Sequence, residues 1–152
     1  MTDRNEANAA NIRAQIEAAV AEKDLSALIA LIPYARLLGI DYYAMGNEYI
    51  YRLPQNDNNL GNPSLPALHG GVIGGFMETS GILQVMMAAE SLVVPKVVDF
   101  SLDYLSPGRN RDTFAKCIVV RQGKKIANVA ITAWQTQADK PIARARAHFL
   151  IV

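Results

Sequence analysis

The chain has one cysteine, Cys117, and two histidines, His69 and His148, in 152 residues. An internal disulfide is therefore impossible, a cysteine-built zinc site is excluded, and two histidines so far apart in sequence make a poor metal pair. Cys117 lies in the apolar run Cys-Ile-Val-Val and reads as a buried core thiol. Charge of one sign is also missing: 15 Lys and Arg against 14 Asp and Glu leave a net charge of +1, with no footprint of a nucleic-acid surface. No apolar run approaches the roughly 18 residues of a membrane span, and the opening Met-Thr-Asp-Arg-Asn-Glu has no apolar signal core. A soluble, cytoplasmic protein is the expectation. There is no Gly-x-Gly-x-x-Gly after a strand and no Gly-x-Ser-x-Gly elbow, which disfavours a dinucleotide site and a serine hydrolase.

What is present fits one domain spanning residues 1–152, large enough to bury a core without staples. Residues 6–32 place Ile12, Ile16, Val20, Leu25, Leu28 and Ile32 close to helical spacing. Asp24 is positioned to cap a second short helix, and Pro33 ends the run. Residues 1–33 thus read as a helical extension that covers core or shapes a substrate mouth. From Leu37 to Leu53, tyrosines and isoleucines around Met45-Gly46-Asn47-Glu48 read as a hairpin, and Gln55 to Pro66 as a loop. After Pro95 the pattern is all strand. Val98, Phe100, Leu102 and Tyr104 alternate with Asp99, Ser101 and Asp103; further strands are expected over 113–121, 125–137 and 142–152. Four long strands joined by short turns imply an antiparallel sheet, with one glycine-rich helix for it to wrap.

That helix, expected from Gly70 to about Ala89, carries the informative feature. Five glycines among residues 70–81 make it weak by propensity, at roughly 1 kcal/mol each relative to alanine, so close packing has to support it. Within it stands one carboxylate, Glu78. A charge on such a segment costs several kcal/mol in order of magnitude unless it is paired, hydrated or used. A helix start at His69-Gly70-Gly71 with a carboxylate about two turns further on points to an acyl-transfer site. A charge retained for subunit packing, or one reaching an internal water, is the competing reading of Glu78. Thr79 and Ser80 read as helix-interior packing residues rather than nucleophiles.

Leu-His-Gly-Gly at 68–71 with an acidic residue nine positions after the histidine, Val-Asp-Phe-Ser-Leu-Asp-Tyr-Leu-Ser-Pro at 98–107 and Arg-Gln-Gly-Lys-Lys-Ile-Ala at 121–127 together resemble the hotdog-fold thioesterases. The branch they resemble is that of the phenylacetyl-CoA-type (PaaI-like) enzymes. The resemblance implies an α+β hotdog fold, a curved antiparallel sheet wrapped around a central helix, with subunits paired edge to edge and active sites at the dimer interface. It implies that Glu78 activates water or attacks the thioester carbonyl, and that the Gly70 backbone N–H polarises that carbonyl. Gly71 is implied as a second helper or as room for close approach of substrate. His69 is implied to orient the loop and the carbonyl region rather than to carry protons. Some members have an asparagine that helps position water one residue from Asn62. Where some carry a hydroxyl near the start of the following strand, this chain has Val97.

The resemblance further implies an acyl-CoA substrate, aryl or short to medium in chain length, with coenzyme A as part of the substrate and no separate cofactor. Arg109, Arg111, Arg121, Lys124 and Lys125 lie in or near two turns and are candidates for its phosphates, or ordinary solvated turn residues. Arg144, Arg146 and His148 alternate with alanines and share one strand face. Phe76, Met77, Ile82, Met86, Met87, Tyr42, Tyr43 and Tyr104 are candidates for an acyl channel or for core. The expected assembly is a homodimer, pairing further to a tetramer. A hotdog protein that binds acyl-thioesters without turnover is the alternative, and an acyl-thioester hydratase or dehydratase a more distant one.

Overall fold

A computed structural model describes residues 2–151. The chain opens with α1 (Thr2–Ala21), α2 (Leu25–Leu31) and α3 (Pro33–Leu38), followed by the hairpin β1 (Asp41–Met45) and β2 (Glu48–Leu53). A small hairpin, β3 (Leu60–Asn62) and β4 (Ala67–Leu68), leads into the central helix α4 (Gly70–Ala88). The strands β5 (Lys96–Tyr104), β6 (Thr113–Gln122), β7 (Ile126–Trp134) and β8 (Ala143–Leu150) complete it. Six strands form one antiparallel sheet in the order β1-β2-β6-β7-β8-β5. The sheet lies against α4, which is the α+β hotdog arrangement that the resemblance implies.

Local chemistry accounts for the helical start. Asp24 caps α2 by accepting the Ala27 N–H at 3.0 Å, as its position in the sequence leads one to expect. Pro33 does more than end that run: it occupies the first turn of α3, where a missing N–H costs nothing. Leu37 and Leu38 are consequently helical, and the expected hairpin begins only at Asp41. Gly39, at φ 68°, closes α3 in the left-handed conformation, with its N–H directed at Ala35 and Arg36 carbonyls.

The core sits between α4 and the inner face of the sheet. Ile73, Phe76, Met77, Ser80 and Leu83 recur at three- and four-residue spacing and are buried. Each large apolar side chain among them contributes roughly 1.5–3 kcal/mol by leaving water. Opposite them β7 and β8 present Ala127, Val129, Ile131, Ala133, Ala143, Ala145, Ala147 and Phe149. The many alanines let the helix approach closely, and Gly81 uses that room: a Cβ there would stand 2.8 Å from Phe149 Cζ and 3.0 Å from Ile131 Cδ1.

In β5 the alternation read from sequence breaks once. The β5–β8 register shifts between Val97 and Asp99, so Val97 packs against the core and Val98 turns out, 55% exposed. Phe100 and Leu102 keep their inward orientation. On β8, Arg144 and Arg146 are exposed and alternate with buried alanines, while His148 Nδ1 lies 2.9 Å from Asp99 Oδ2 on the neighbouring strand. Cys117 is buried, and burial pushes its thiol up, away from the reactive thiolate.

Candidate active site

The start of α4 is held from several sides. His69 is its N-cap, and its own N–H donates to the Asn59 carbonyl at 2.8 Å. The His69 carbonyl accepts from Val72 N–H at 3.0 Å and Ile73 N–H at 3.2 Å, while its Nδ1 accepts the Gly71 N–H at 2.9 Å. An accepting Nδ1 carries no proton, so in this contact the ring N–H is the one on Nε2. Of the first four N–H groups of the helix, those of Gly71, Val72 and Ile73 are thereby used. The Gly70 N–H has no partner among the described residues and stands at the positive end of a 19-residue helix.

Tyr104, the last residue of β5, crosses this same turn. Its hydroxyl donates to the Gly70 carbonyl at 2.8 Å, and a Cβ on Gly70 would stand 2.9 Å from that oxygen. Beside it a groove of about 370 Å³ is lined by Leu68, Gly70, Ile73, Tyr104 and the Leu105–Gly108 turn. Sequence reasoning placed Tyr104 in an acyl channel or core and missed its contact with the helix. Its place at the inward end of an alternating strand was the available signal.

Glu78 lies on a half-buried face of α4 that meets β5 at Gly74, where a Cβ would stand 3.3 Å from Leu102 Cδ2. It shares that face, at seven-, four- and three-residue spacing, with Gly71, Gly74 and Gly75, and with Ile82 beyond it. The side chain is half-buried, and among the described residues its carboxylate joins no hydrogen bond or ion pair. Burial raises its pKa above the ordinary value of 4.5, and no charged neighbour offsets the effect. Tyr34 of α3 crosses the same face one turn earlier, its hydroxyl 2.5 Å from where a Gly75 Cβ would be. Thr79 and Ser80 donate to the carbonyls of Gly75 and Phe76 at 2.7 and 2.8 Å, which occupies both hydroxyl protons in the helix.

The remaining candidates separate. Asn62 is exposed, and its Oδ1 accepts from Ser64 N–H and Leu65 N–H at 3.0 and 3.3 Å, closing the β3–β4 turn. Arg109 and Arg111 lie on the β5–β6 connection near the start of α4, where Ala67 bridges Arg109 and Gln135 brackets the Arg109 backbone. Arg121, Lys124 and Lys125 lie at the β6–β7 turn near the other end of α4, with Lys124 beside Ala89, Glu90 and Ser91 in a second groove. At 1.5 Å per residue the two groups stand roughly 27 Å apart along the helix, so one chain does not gather all five cations into one patch. Among the described residues, no three His, Cys, Asp or Glu side chains group as metal ligands. No helix among them is long and apolar enough to cross a membrane.

A family model described as the thioesterase superfamily matches residues 65–142, the stretch from the turn before α4 to the start of β8. Among solved structures, a Chromobacterium violaceum protein is 42% identical, covering 91% of this chain and 96% of its own, with a TM-score of 0.73. The Escherichia coli PaaI protein from the phenylacetic acid degradation operon is 21% identical over 88% of this chain and 94% of its own, with a TM-score of 0.74. Mouse thioesterase superfamily member 2 is 18% identical over 86% and 96%, with a TM-score of 0.70. The last two likenesses are likenesses of fold. No curated protein matches the chain.

Proposed function

This chain belongs to the thioesterase superfamily, and from that premise we propose that it hydrolyses an aryl or short-to-medium-chain acyl-CoA to the free acid and CoA. The observation that carries the reading is the pairing, on one helix, of an unpartnered Gly70 N–H with an unpartnered, half-buried Glu78. Each is a group that a folded protein normally satisfies, and a thioester carbonyl with its attacking water satisfies both.

In this mechanism the thioester oxygen accepts from Gly70 N–H, where the helix dipole favours developing negative charge. Glu78 takes a proton from water as the water oxygen bonds to the carbonyl carbon. The tetrahedral intermediate then collapses, the C–S bond breaks, and the CoA sulfur leaves with a proton returned from Glu78. Alternatively Glu78 attacks first, expelling CoA and forming an anhydride that water cleaves. Desolvation serves either route, since a carboxylate with a raised pKa is a better base once ionised. His69 holds Gly71 and so leaves Gly70 as the free donor.

The spacing bears on assembly. Eight residues separate Gly70 from Glu78, a rise of roughly 12 Å, too far for both groups of one chain to act on one carbonyl. Two copies related by a two-fold axis bring Glu78 of one toward Gly70 of the other. The free edge of β5, nine residues long and paired only with β8, is the edge through which such a homodimer forms. We assign a further pairing to a tetramer, the phosphate contacts of Arg109, Arg111, Arg121, Lys124 and Lys125, a water-positioning role for Asn62 and a cytoplasmic location to this same proposal.

The test is release of free CoA thiol from a panel of aryl and short-to-medium acyl-CoAs. Turnover concentrated in one acyl class is expected and names the substrate. Binding of these thioesters without turnover would replace the proposal with a non-catalytic acyl-thioester-binding protein.

A further inference from the structure

The Gly70–Gly71 peptide is gripped at both of its polar ends. Its carbonyl accepts from the Tyr104 hydroxyl at 2.8 Å, and its N–H donates to His69 Nδ1 at 2.9 Å. The preceding peptide, which carries the Gly70 N–H, is held by its own carbonyl through Val72 and Ile73. Both planes that meet at the Gly70 Cα are therefore fixed from outside the residue.

Two successive glycines at the first turn of a helix form the segment with the most backbone freedom to lose, and they have no side chains to restrict it. An oxyanion donor acts through preorganisation: its worth depends on pointing at the developing charge before the reaction begins. A side chain at either position would push a gripping atom aside. A Cβ on Gly70 would meet Tyr104 Oη at 2.9 Å, and one on Gly71 would meet His69 Nδ1 at 2.9 Å. The atoms that a side chain here would displace are the atoms that grip the backbone.

We propose that Tyr104 is a positioning residue of the thioester site, whose hydroxyl, opposite His69 Nδ1, locks the Gly70–Gly71 peptide and so aims the free Gly70 N–H. The proposal rests on the thioesterase reading above. Tyr104 works through the backbone and touches no reacting atom. Its hydrogen bond also polarises the peptide, which strengthens the Gly71 N–H as a donor to His69 and keeps that N–H out of the site. The ring itself is 56% exposed and borders the groove beside Gly70, so its wall function and its hydroxyl function are separable by one substitution.

Tyr104→Phe keeps the ring and removes the grip. Two readouts are taken on the full chain: kcat and KM with the best acyl-CoA of the panel, and the Gly71 amide followed by 15N NMR and hydrogen exchange. The expected result is a kcat lower by about tenfold with KM within about twofold, together with a shifted Gly71 resonance and faster Gly71 exchange. An unmoved Gly71 amide overturns the grip. A moved amide with unchanged kcat overturns the positioning role. Should the wild-type protein turn over no thioester, the functional premise falls and the proposal with it, while the NMR arm still reports whether the grip exists.

Discussion

His69 and Gly71 are joined by a 2.9 Å hydrogen bond in which the imidazole Nδ1 accepts the backbone N–H two residues on. A histidine thus does the capping work more often given to Ser, Asp or Asn, and it commits its lone-pair nitrogen to structure. His69→Ala is expected to destabilise the fold by about 1 kcal/mol, and His69→Asn to recover most of that loss, in urea unfolding. Equal stability of the alanine variant and the wild type would mean that the cap carries no weight.

The unpartnered burial of Glu78 sets a pH dependence. Its pKa is raised, so the carboxylate becomes protonated, and the proposed base is lost, at a higher pH than for an ordinary glutamate at 4.5. The acid limb of kcat/KM is expected to have its midpoint above 4.5. The same shift makes Glu78 favour folding when protonated, relative to the unfolded chain, so its contribution to stability declines as pH rises through the ordinary carboxylate range and then through the raised value. A pH–rate profile with its acid limb at or below the ordinary value would contradict this environment.

Two glycines of α4 are expected to respond differently to alanine. A Cβ on Gly81 would stand 2.8 Å from the buried ring of Phe149 and 3.0 Å from Ile131, so Gly81→Ala overpacks the core by about 1–3 kcal/mol, exceeding the roughly 1 kcal/mol gained in helix propensity. Gly75 faces only the phenol end of Tyr34, which is 43% exposed and free to swing outward. Gly75→Ala is therefore expected to leave stability within about 1 kcal/mol of wild type. Denaturant midpoints for the pair measure the contrast.

The helix that holds these glycines was legible because its bounds are chemical: a polar loop before His69 and an apolar, small-residue run after it. The strands β6 to β8 were legible because each buries one face and alternates. Other features depend on tertiary approach. Leu37 and Leu38 read as strand because a six-residue helix started by Pro33 and closed by Gly39 is too short to declare a period. The β5 irregularity that turns Val98 outward is set by pairing with β8, and no residue of β5 announces it. The hydroxyl of Tyr104 on the Gly70 carbonyl joins residues 34 positions apart. Only the packing of the sheet edge against the helix start produces it. Glu78 stood out because a lone charge on an apolar glycine helix is costly, whereas the separation of Arg109 and Arg111 from Arg121, Lys124 and Lys125 required the positions of the turns.

A shared site across two chains has a complementation signature. Gly70→Pro deletes the proposed donor at a position where proline suits a helix start, its Cβ pushing the exposed Tyr104 hydroxyl aside, and His69 at φ −63°, ψ 131° already has the extended backbone that a residue before proline adopts. Gly70→Pro and Glu78→Gln are each expected to be inactive alone. Subunits remixed in equal amounts are expected to regain about a quarter of wild-type activity, since half the dimers are mixed and each restores one of two sites. Absence of any regain from mixed dimers whose formation is verified by differential tagging would argue against a site built from two chains.

The central claim is that the Glu78 carboxylate carries out thioester hydrolysis, and the most direct measurement is kcat for folded Glu78→Gln beside wild type on the best acyl-CoA. The substitution preserves shape and removes the base. A loss of about 10²-fold to 10⁴-fold with the circular dichroism spectrum unchanged is the expected result. Turnover equal to that of wild type would contradict the account.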